Sequence, residues 1–413
     1  MKKKLLIISY HYAPMSSCQS NKFELLIPYL QKEYQQIDIL TSLHRGLEHH
    51  ELVDNVNVHR VNHNALVRDY QPKQLQEIQN TLPVKKSRLK TMIKKAFHFF
   101  MWPDFAFLWI KPAKSKAIQL HQANHYTHVI SLCYPFSCHL VGYGLKRKFS
   151  EIKLHLDYID PFSLLMAHEQ PSNNVRLYGW LNRSMERKVN SRANKVFVSA
   201  EAYASMQTYD SVSNVQVCAP WLTISRGDYR NSESYDFKHN GTKLLYIGTF
   251  FKSIRDPSFA LTVLSKYLET NQKAFFVGDK VDCDDVCRKF ELGFPNNFSM
   301  YSQVGKSTVL SMIKGCDVLI FIDNLSAKQL PSKILEYLYV KKRILFFAKD
   351  RKAPTYQFLL RENLIGDHLY FIFETESKEL NMDDIQHFLT RENIVFPDFP
   401  DKLYPENIAR TYG

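Results

Sequence analysis

At 413 residues the chain exceeds one ordinary hydrophobic core, so two domains are expected. Its 45% hydrophobic and 23% charged residues exclude a disordered chain, and seven scattered cysteines are unlike a small disulfide framework and read as thiols of a reducing cytoplasm. A formal net charge of +13 calls for an anionic partner: nucleic acid, a membrane surface or a phosphate-bearing substrate.

The chain opens "MKKKLLIISYHYAP", where the apolar run Leu5 to Ile8 is too short for a signal-peptide core. Nowhere does an apolar run approach the roughly 18 residues of a spanning helix. "KLLIIS" (4–9) reads as a buried strand, and "SYHYAPMSSCQSNKFELL" (9–26) links it to an amphipathic helix. That loop lacks Gly-x-Gly-x-x-Gly, which argues against a dinucleotide cofactor. Ser16, Ser17, Ser20 and Asn21 offer hydroxyls and an amide to a polar ligand, or simply cap the helix. A second strand, "IDILTS" (37–42), follows.

"KKSRLKTMIKKAFHFFMW" (85–102) stands apart, with six Lys/Arg and no acid. Leu89, Met92, Ile93, Ala96, Phe97 and Phe100 form one apolar stripe, with lysines over much of the remainder. This pattern matches an interfacial helix on an anionic membrane; the alternative is a domain helix with solvated lysines. After the strand "THVISLC" (127–133), "CYPFSCHLVG" (133–142) places Ser137 and His139 behind a strand end. "IKLHLD" (152–157) leads to "YIDPFS", which puts Asp160 at a strand's carboxyl end, where it binds a sugar hydroxyl or merely forms an Asp-Pro turn. "NKVFVS" (194–199) closes the first series, and the polar stretch from Asn214 to His239 suits a hinge.

A second series begins with "KLLYIG" (243–248) and continues through "KAFFVG" (273–278), "CDVLIFI" (316–322), "KRILFF" (342–347) and "HLYFIF" (368–373). In "YIGTFFKSIRDPSFALTVL" (246–264), Gly248 ends a strand while Lys252 and Arg255 bring cations to its carboxyl end, either for a diphosphate or as solvated loop charges. Cys283 and Cys287 share a helical face, but no second Cys/His pair stands at ligand spacing, so no metal site is expected. In "FIDNLSAKQLPSKILEYL" (321–338), Pro331 and Ser332 open a helix carrying Lys333 and Glu336 one turn apart. Lys333 suits a phosphate and Glu336 a ribose, or the two form a surface ion pair worth a few tenths of a kcal/mol. Strand-length runs alternating with helices predict two doubly wound α/β domains, with ligands at the strands' carboxyl ends.

Taken together, "LLIISYHYAP", "FMWPDFAFLW" (100–109), "YPFSCHLVGYGLK" (134–146), "LDYIDPF" (156–162), "YIGTFFKSIRDP" (246–257) and above all "LPSKILEYLYVKKRILFF" (330–347) resemble the bacterial GT-B glycosyltransferases of the family-4-like group, which build capsule, lipopolysaccharide or exopolysaccharide. The resemblance implies two Rossmann-like domains facing across a cleft: an acceptor-side domain over 1–225, a linker over 226–240, a donor domain over 241–395, and a tail over 396–413 packing back on the first domain. It implies transfer of a hexose from a nucleotide sugar to a lipid-linked or polysaccharide acceptor, with retention and without a metal or other cofactor. Glu336 would then bind the donor ribose, and Gly248, Arg255, Ser332 and Lys333 its diphosphate. Asp160 would stand beside the reacting sugar, with Ser16, Ser17, Ser137, His139 and Lys328 as sugar or acceptor contacts. Departures bear on the donor sugar and on retention: Lys328 replaces the first glutamate of Glu-x7-Glu, and Thr249 replaces the arginine usual after Gly248. Partners are the nucleotide sugar, the acceptor and the anionic inner face of the cytoplasmic membrane, with no nucleic acid. The alternatives are a GT-B nucleotide-sugar epimerase and a non-catalytic membrane-binding scaffold.

Overall fold

The structure, a computed structural model, describes residues 3–15, 17–44, 46–62, 102–158, 162–164, 172–199, 203, 214–218, 220–325, 331 and 333–413. The basic stretch 85–102 lies outside them save Trp102, and so do Ser16, Asp160, Lys328 and Ser332. The chain divides into two compact units, one of residues 1–219 with 405–413, the other of residues 220–404. Residues 226–240, expected as a linker, belong to the second unit: Phe237 packs its ring 4.4 Å from that of Phe275, and the Tyr235 N–H donates to the Ser311 carbonyl at 3.0 Å.

The first unit holds a sheet of eight strands: β1 (Lys4–Ile8), β2 (Gln36–Ser42), β3 (His50–Val53), β4 (Val56–Val61), β5 (His128–Cys133), β6 (Lys153–Tyr158), β7 (Lys195–Ser199) and β8 (Val215–Cys218). Their spatial order is β3-β4-β2-β1-β5-β6-β7-β8, and only the edge strand β3 runs antiparallel to its neighbour. β3, β4 and β8 escape a search for apolar runs because they are short and polar on one side. β3 and β4 form a hairpin around Asp54 and Asn55, whose φ angles of 47° and 63° are those of a two-residue primed turn. "VDNV" between alternating residues was its signature in the sequence.

The second unit holds β9 (Thr242–Ile247), β10 (Gln272–Val277), β11 (Phe298–Tyr301), β12 (Val318–Ile322), β13 (Arg343–Ala348) and β14 (Leu369–Phe373). All are parallel, in the order β11-β10-β9-β12-β13-β14. Numbered within the sheet this is 3-2-1-4-5-6, the Rossmann order, and it reverses between β9 and β12. Ligands of such sheets bind at that reversal, beyond the strands' carboxyl ends, because the connections there diverge to opposite faces.

Both cores come from strands buried on two faces. In the first unit Phe136 and Phe162 stack at 4.2 Å, near Trp109 and the β1, β5 and β6 side chains. In the second, Leu244, Tyr246, Phe276 and Ile320 meet the helix Ser258–Tyr267. Residues 405–413 pack within the first unit. Among the described residues no helix is long and apolar enough to cross a membrane.

Two histidines on adjacent strands of the first unit make its stability sensitive to acid. His128 and His155 are 4% and 2% exposed, with rings 5.8 Å apart. Burial, helped by the charges of Lys153 and Lys195 and of Lys3 on His128, pulls them down to about 4 and about 3. Unfolded histidine takes up its proton near pH 6.5. Below that value the unfolded chain binds more protons, so the stability present at neutral pH is lost as pH falls towards these folded values. Urea unfolding midpoints are expected to drop between pH 7 and pH 5, by about 2 kcal/mol in stability for each histidine. A flat profile over that range would refute the effect.

Candidate functional site

The second unit gathers its polar groups at the strand-order reversal. β9 ends on Ile247, and Gly248 continues it with its N–H donating to the Val277 carbonyl at 3.0 Å. Gly278, with φ of +143°, lies against it: a Cβ there would stand 2.1 Å from the Gly248 carbonyl oxygen. A Cβ on Gly248 itself would meet the Tyr246 hydroxyl at 2.8 Å and Arg255 Nη1 at 3.4 Å. A side chain at Gly248 would therefore press on Tyr246 and Arg255, and one at Gly278 on the Gly248 backbone.

The loop 249–256 turns back so that the Arg255 N–H donates to the Phe251 carbonyl at 2.6 Å. This sets the guanidinium at the carboxyl end of β9. Its Nη2 donates to Asn324 Oδ1 at 2.7 Å, and its buried Nε has no hydrogen-bond partner among the described residues. Tyr246 is buried beside it; burial pushes the phenol up to about 12, and the arginine's charge works the other way.

Asp323 and Asn324 follow β12 directly. The Asp323 carboxylate accepts the Thr355 N–H at 3.0 Å and its hydroxyl at 2.6 Å, so it caps the helix Pro354–Arg361 from a neighbouring strand end. Burial raises the Asp323 carboxyl to about 6, opposed by the Thr355 and Asn324 hydrogen bonds and the Arg255 charge.

The helix Lys333–Tyr339 brings the third group. Lys333 Nζ lies 2.6 Å from Glu336 Oε2, and Glu336 Oε1 accepts the Thr223 hydroxyl. The Glu336 side chain is 6% exposed, that of Lys333 33%. One turn of helix makes the pair, and burial of the carboxylate distinguishes it from a solvated surface bridge. Tyr337 ties this helix to β9, its hydroxyl accepting the Ile247 N–H at 3.2 Å. Gly248 and Arg255 are thus brought together with Asp323 and Asn324, and Lys333 with Glu336 beside the end of β9. Asp323, Asn324, Tyr246 and Thr223 were missed in the sequence. For the first two the signal was "FIDN", a carboxylate and an amide directly after a buried strand.

In the first unit three expected sugar or acceptor contacts make bonds within the chain. Ser17 caps the helix Cys18–Leu30: its Oγ accepts the Ser20 N–H at 3.0 Å, and its own N–H donates to Ser20 Oγ at 2.8 Å. Ser137 is fully buried, donating its hydroxyl to Asp104 Oδ1 at 2.6 Å and its N–H to Oδ2 at 2.8 Å. His139 is also fully buried, with Nδ1 2.6 Å from Ser131 Oγ and its ring 4.4 Å from that of Tyr158; burial pulls it down to about 3, so it stays neutral. All three serve local structure, because the residues just behind a strand end are also those that must start the next helix.

No family model matches the chain, and no curated protein does. Solved structures do. The chain is similar to the sucrose-phosphate synthase of Thermosynechococcus elongatus at 12% identity, over 100% of this chain and 93% of that one, with a TM-score of 0.59. It is similar to the catalytic domain of starch synthase IV from Arabidopsis thaliana, bound to ADP and acarbose, at 8% identity over 100% and 95%, with a TM-score of 0.56. It is also similar to Anabaena HepE in complex with UDP, at 13% identity over 99% and 94%, with a TM-score of 0.53. The likeness is one of fold: an α/β chain of two Rossmann-like domains, the GT-B arrangement.

Proposed function

We propose that the chain is a glycosyltransferase moving a hexose from a nucleotide sugar to a lipid-linked or polysaccharide acceptor in the synthesis of cell-surface polysaccharide. The observation that carries this reading is that, at the strand-order reversal of the second sheet, the Arg255 loop continues from the carboxyl end of β9 and the helix bearing Lys333 and the buried Glu336 is tied to that same end through Tyr337. The fold shared with structures that hold UDP and ADP supports it.

In this reading Glu336, its carboxylate steadied by Thr223, accepts the hydroxyls of the donor ribose, and Lys333 exchanges one charge-assisted bond for another at the diphosphate. Ser332 and Gly248 line the same diphosphate. The acceptor oxygen bonds to the anomeric carbon as that carbon's bond to the diphosphate oxygen breaks. The hydroxyl proton leaves with the diphosphate, on the face of departure that gives retention. Arg255 and Lys333 stabilise the charge that grows on the leaving group, so neither metal nor cofactor is needed. Asp160 orients the acceptor hydroxyl, and Ser16 and Lys328 contact sugar or acceptor. The basic stripe of 85–102 holds the enzyme on the anionic inner face of the cytoplasmic membrane, where lipid-linked acceptors lie.

The test is release of nucleoside diphosphate from a panel of UDP-, ADP- and GDP-sugars, with and without a bacterial lipid extract as acceptor. Release from at least one donor, raised by the extract, is expected. No release from any donor would overturn the reading, and conversion of the donor sugar without acceptor would put an epimerase in its place.

A further inference from the structure

The bond between Arg255 and Asn324 joins two loops that leave adjacent strands, β9 and β12, where the strand order reverses. One residue away on each loop, the Leu325 N–H donates to the Ile254 carbonyl at 2.7 Å. Two hydrogen bonds, one through a side chain and one through backbone, therefore splice the loops at successive residues. The β12 side of the splice is itself anchored. The Asp323 N–H donates to the Phe347 carbonyl of β13 at 2.9 Å, and the Asp323 carboxylate accepts from Thr355 on one side and from the Asn324 N–H, at 2.8 Å, on the other.

Asp323 and Asn324 are 4% and 6% exposed. Burying a carboxylate and an amide is costly unless each is bonded. Here the Asp323 carboxylate accepts from the helix start and from the Asn324 N–H, and Asn324 Oδ1 accepts in turn from the guanidinium. A free arginine side chain carries about 2 kcal/mol of rotamer entropy, which binding must otherwise remove. We propose that the Asp323–Asn324 turn is the positioning element of the donor diphosphate site. Asn324 holds Nη2 of Arg255 and so fixes the plane of the guanidinium at the carboxyl end of β9, where a diphosphate would meet it. Asn324 acts through Arg255, and Asp323 acts through Asn324. The inference rests on the donor-site reading above.

Calorimetric titration of the full chain with UDP, ADP, uridine and adenosine tests it, in wild type, Arg255→Ala, Asn324→Ala, the milder Asn324→Ser, and a double Arg255→Ala/Asn324→Ala variant. Loss of one charge-assisted hydrogen bond is expected to weaken the preferred diphosphate about tenfold in either Asn324 variant. Affinity for the matching nucleoside should stay within about twofold, since no phosphate is involved. In the double variant the Asn324 change should add almost nothing to the Arg255 loss, as for two residues acting as one unit. Full diphosphate affinity in whichever Asn324 variant folds, an equal loss on the nucleoside, or additive losses would overturn the proposal. If Arg255→Ala leaves diphosphate affinity unchanged, or wild type binds neither diphosphate, the donor-site reading fails and takes the inference with it. If Arg255→Ala weakens binding and the Asn324 variants do not, the inference alone fails.

Discussion

Replacing Arg255 with alanine is expected to lower turnover of the preferred nucleotide sugar about a hundredfold, the usual cost of removing one preorganised group aimed at developing charge. The guanidinium stands at the carboxyl end of β9 with one nitrogen held by Asn324. Charge accumulates on the diphosphate as its bond to the sugar breaks, so the arginine interacts more strongly with the transition state than with the bound donor. The loss should fall mainly on kcat, with a smaller rise in KM. Arg255→Lys keeps the charge but not the planar fork, and an intermediate loss of about tenfold is expected. Steady-state release of nucleoside diphosphate measures both. Turnover within twofold of wild type in Arg255→Ala would remove this residue from the proposed machinery.

Tyr412→Ala is expected to destabilise the first unit by about 3–5 kcal/mol, the range for truncating a buried aromatic side chain. Tyr412 is fully buried, its ring 5.4 Å from that of Phe23 and 4.3 Å from that of Phe197. Its hydroxyl donates to the buried Asp157 carboxylate, which also binds Lys22 at 2.7 Å and Gln19 at 2.9 Å. Its carbonyl accepts the Tyr34 hydroxyl at 2.9 Å, and the carbonyl of Thr411 accepts Lys195 Nζ at 3.1 Å. The side chain thus closes a buried polar cluster and fills the space between a helix and β7. Tyr412→Phe keeps the ring and leaves Asp157 one donor short, for an expected cost of about 1.5–3 kcal/mol. Urea unfolding of the two variants separates packing from hydrogen bonding. Wild-type midpoints in both would show that residues 405–413 add nothing to this unit.

The candidate site was partly legible. Gly248, Arg255, Lys333 and Glu336 could be picked out because each lies in a local pattern: a strand end, a basic loop, a helix start. Their meanings were less accessible. Gly248 reads as room for a ligand, and only the structure adds that a side chain there would also press on Tyr246 and Arg255. Lys333 and Glu336 read as either an exposed pair or a ligand pocket. Burial of Glu336 and its bond from Thr223, 113 residues away, are facts of tertiary packing that no spacing rule contains. The same holds for Ser137 and His139, whose sequence context is that of a loop ligand and whose partners, Asp104 and Ser131, are internal.

The sequence by itself determined the class of fold, because strands buried on both faces must be continuously apolar and parallel strands need helical crossovers. Ten apolar runs therefore marked ten strands, and the alternation marked two sheets of α/β type. Only the tertiary structure decided the strand order, which places β9 beside β12 and so brings Arg255 to Asn324 across 69 residues. It also decided that residues 405–413 complete the first unit. Hydrophobic periodicity is a property of each segment alone. Pairing between distant segments depends on which polar groups find partners once water has been excluded, and that is settled only when the whole chain has closed around them.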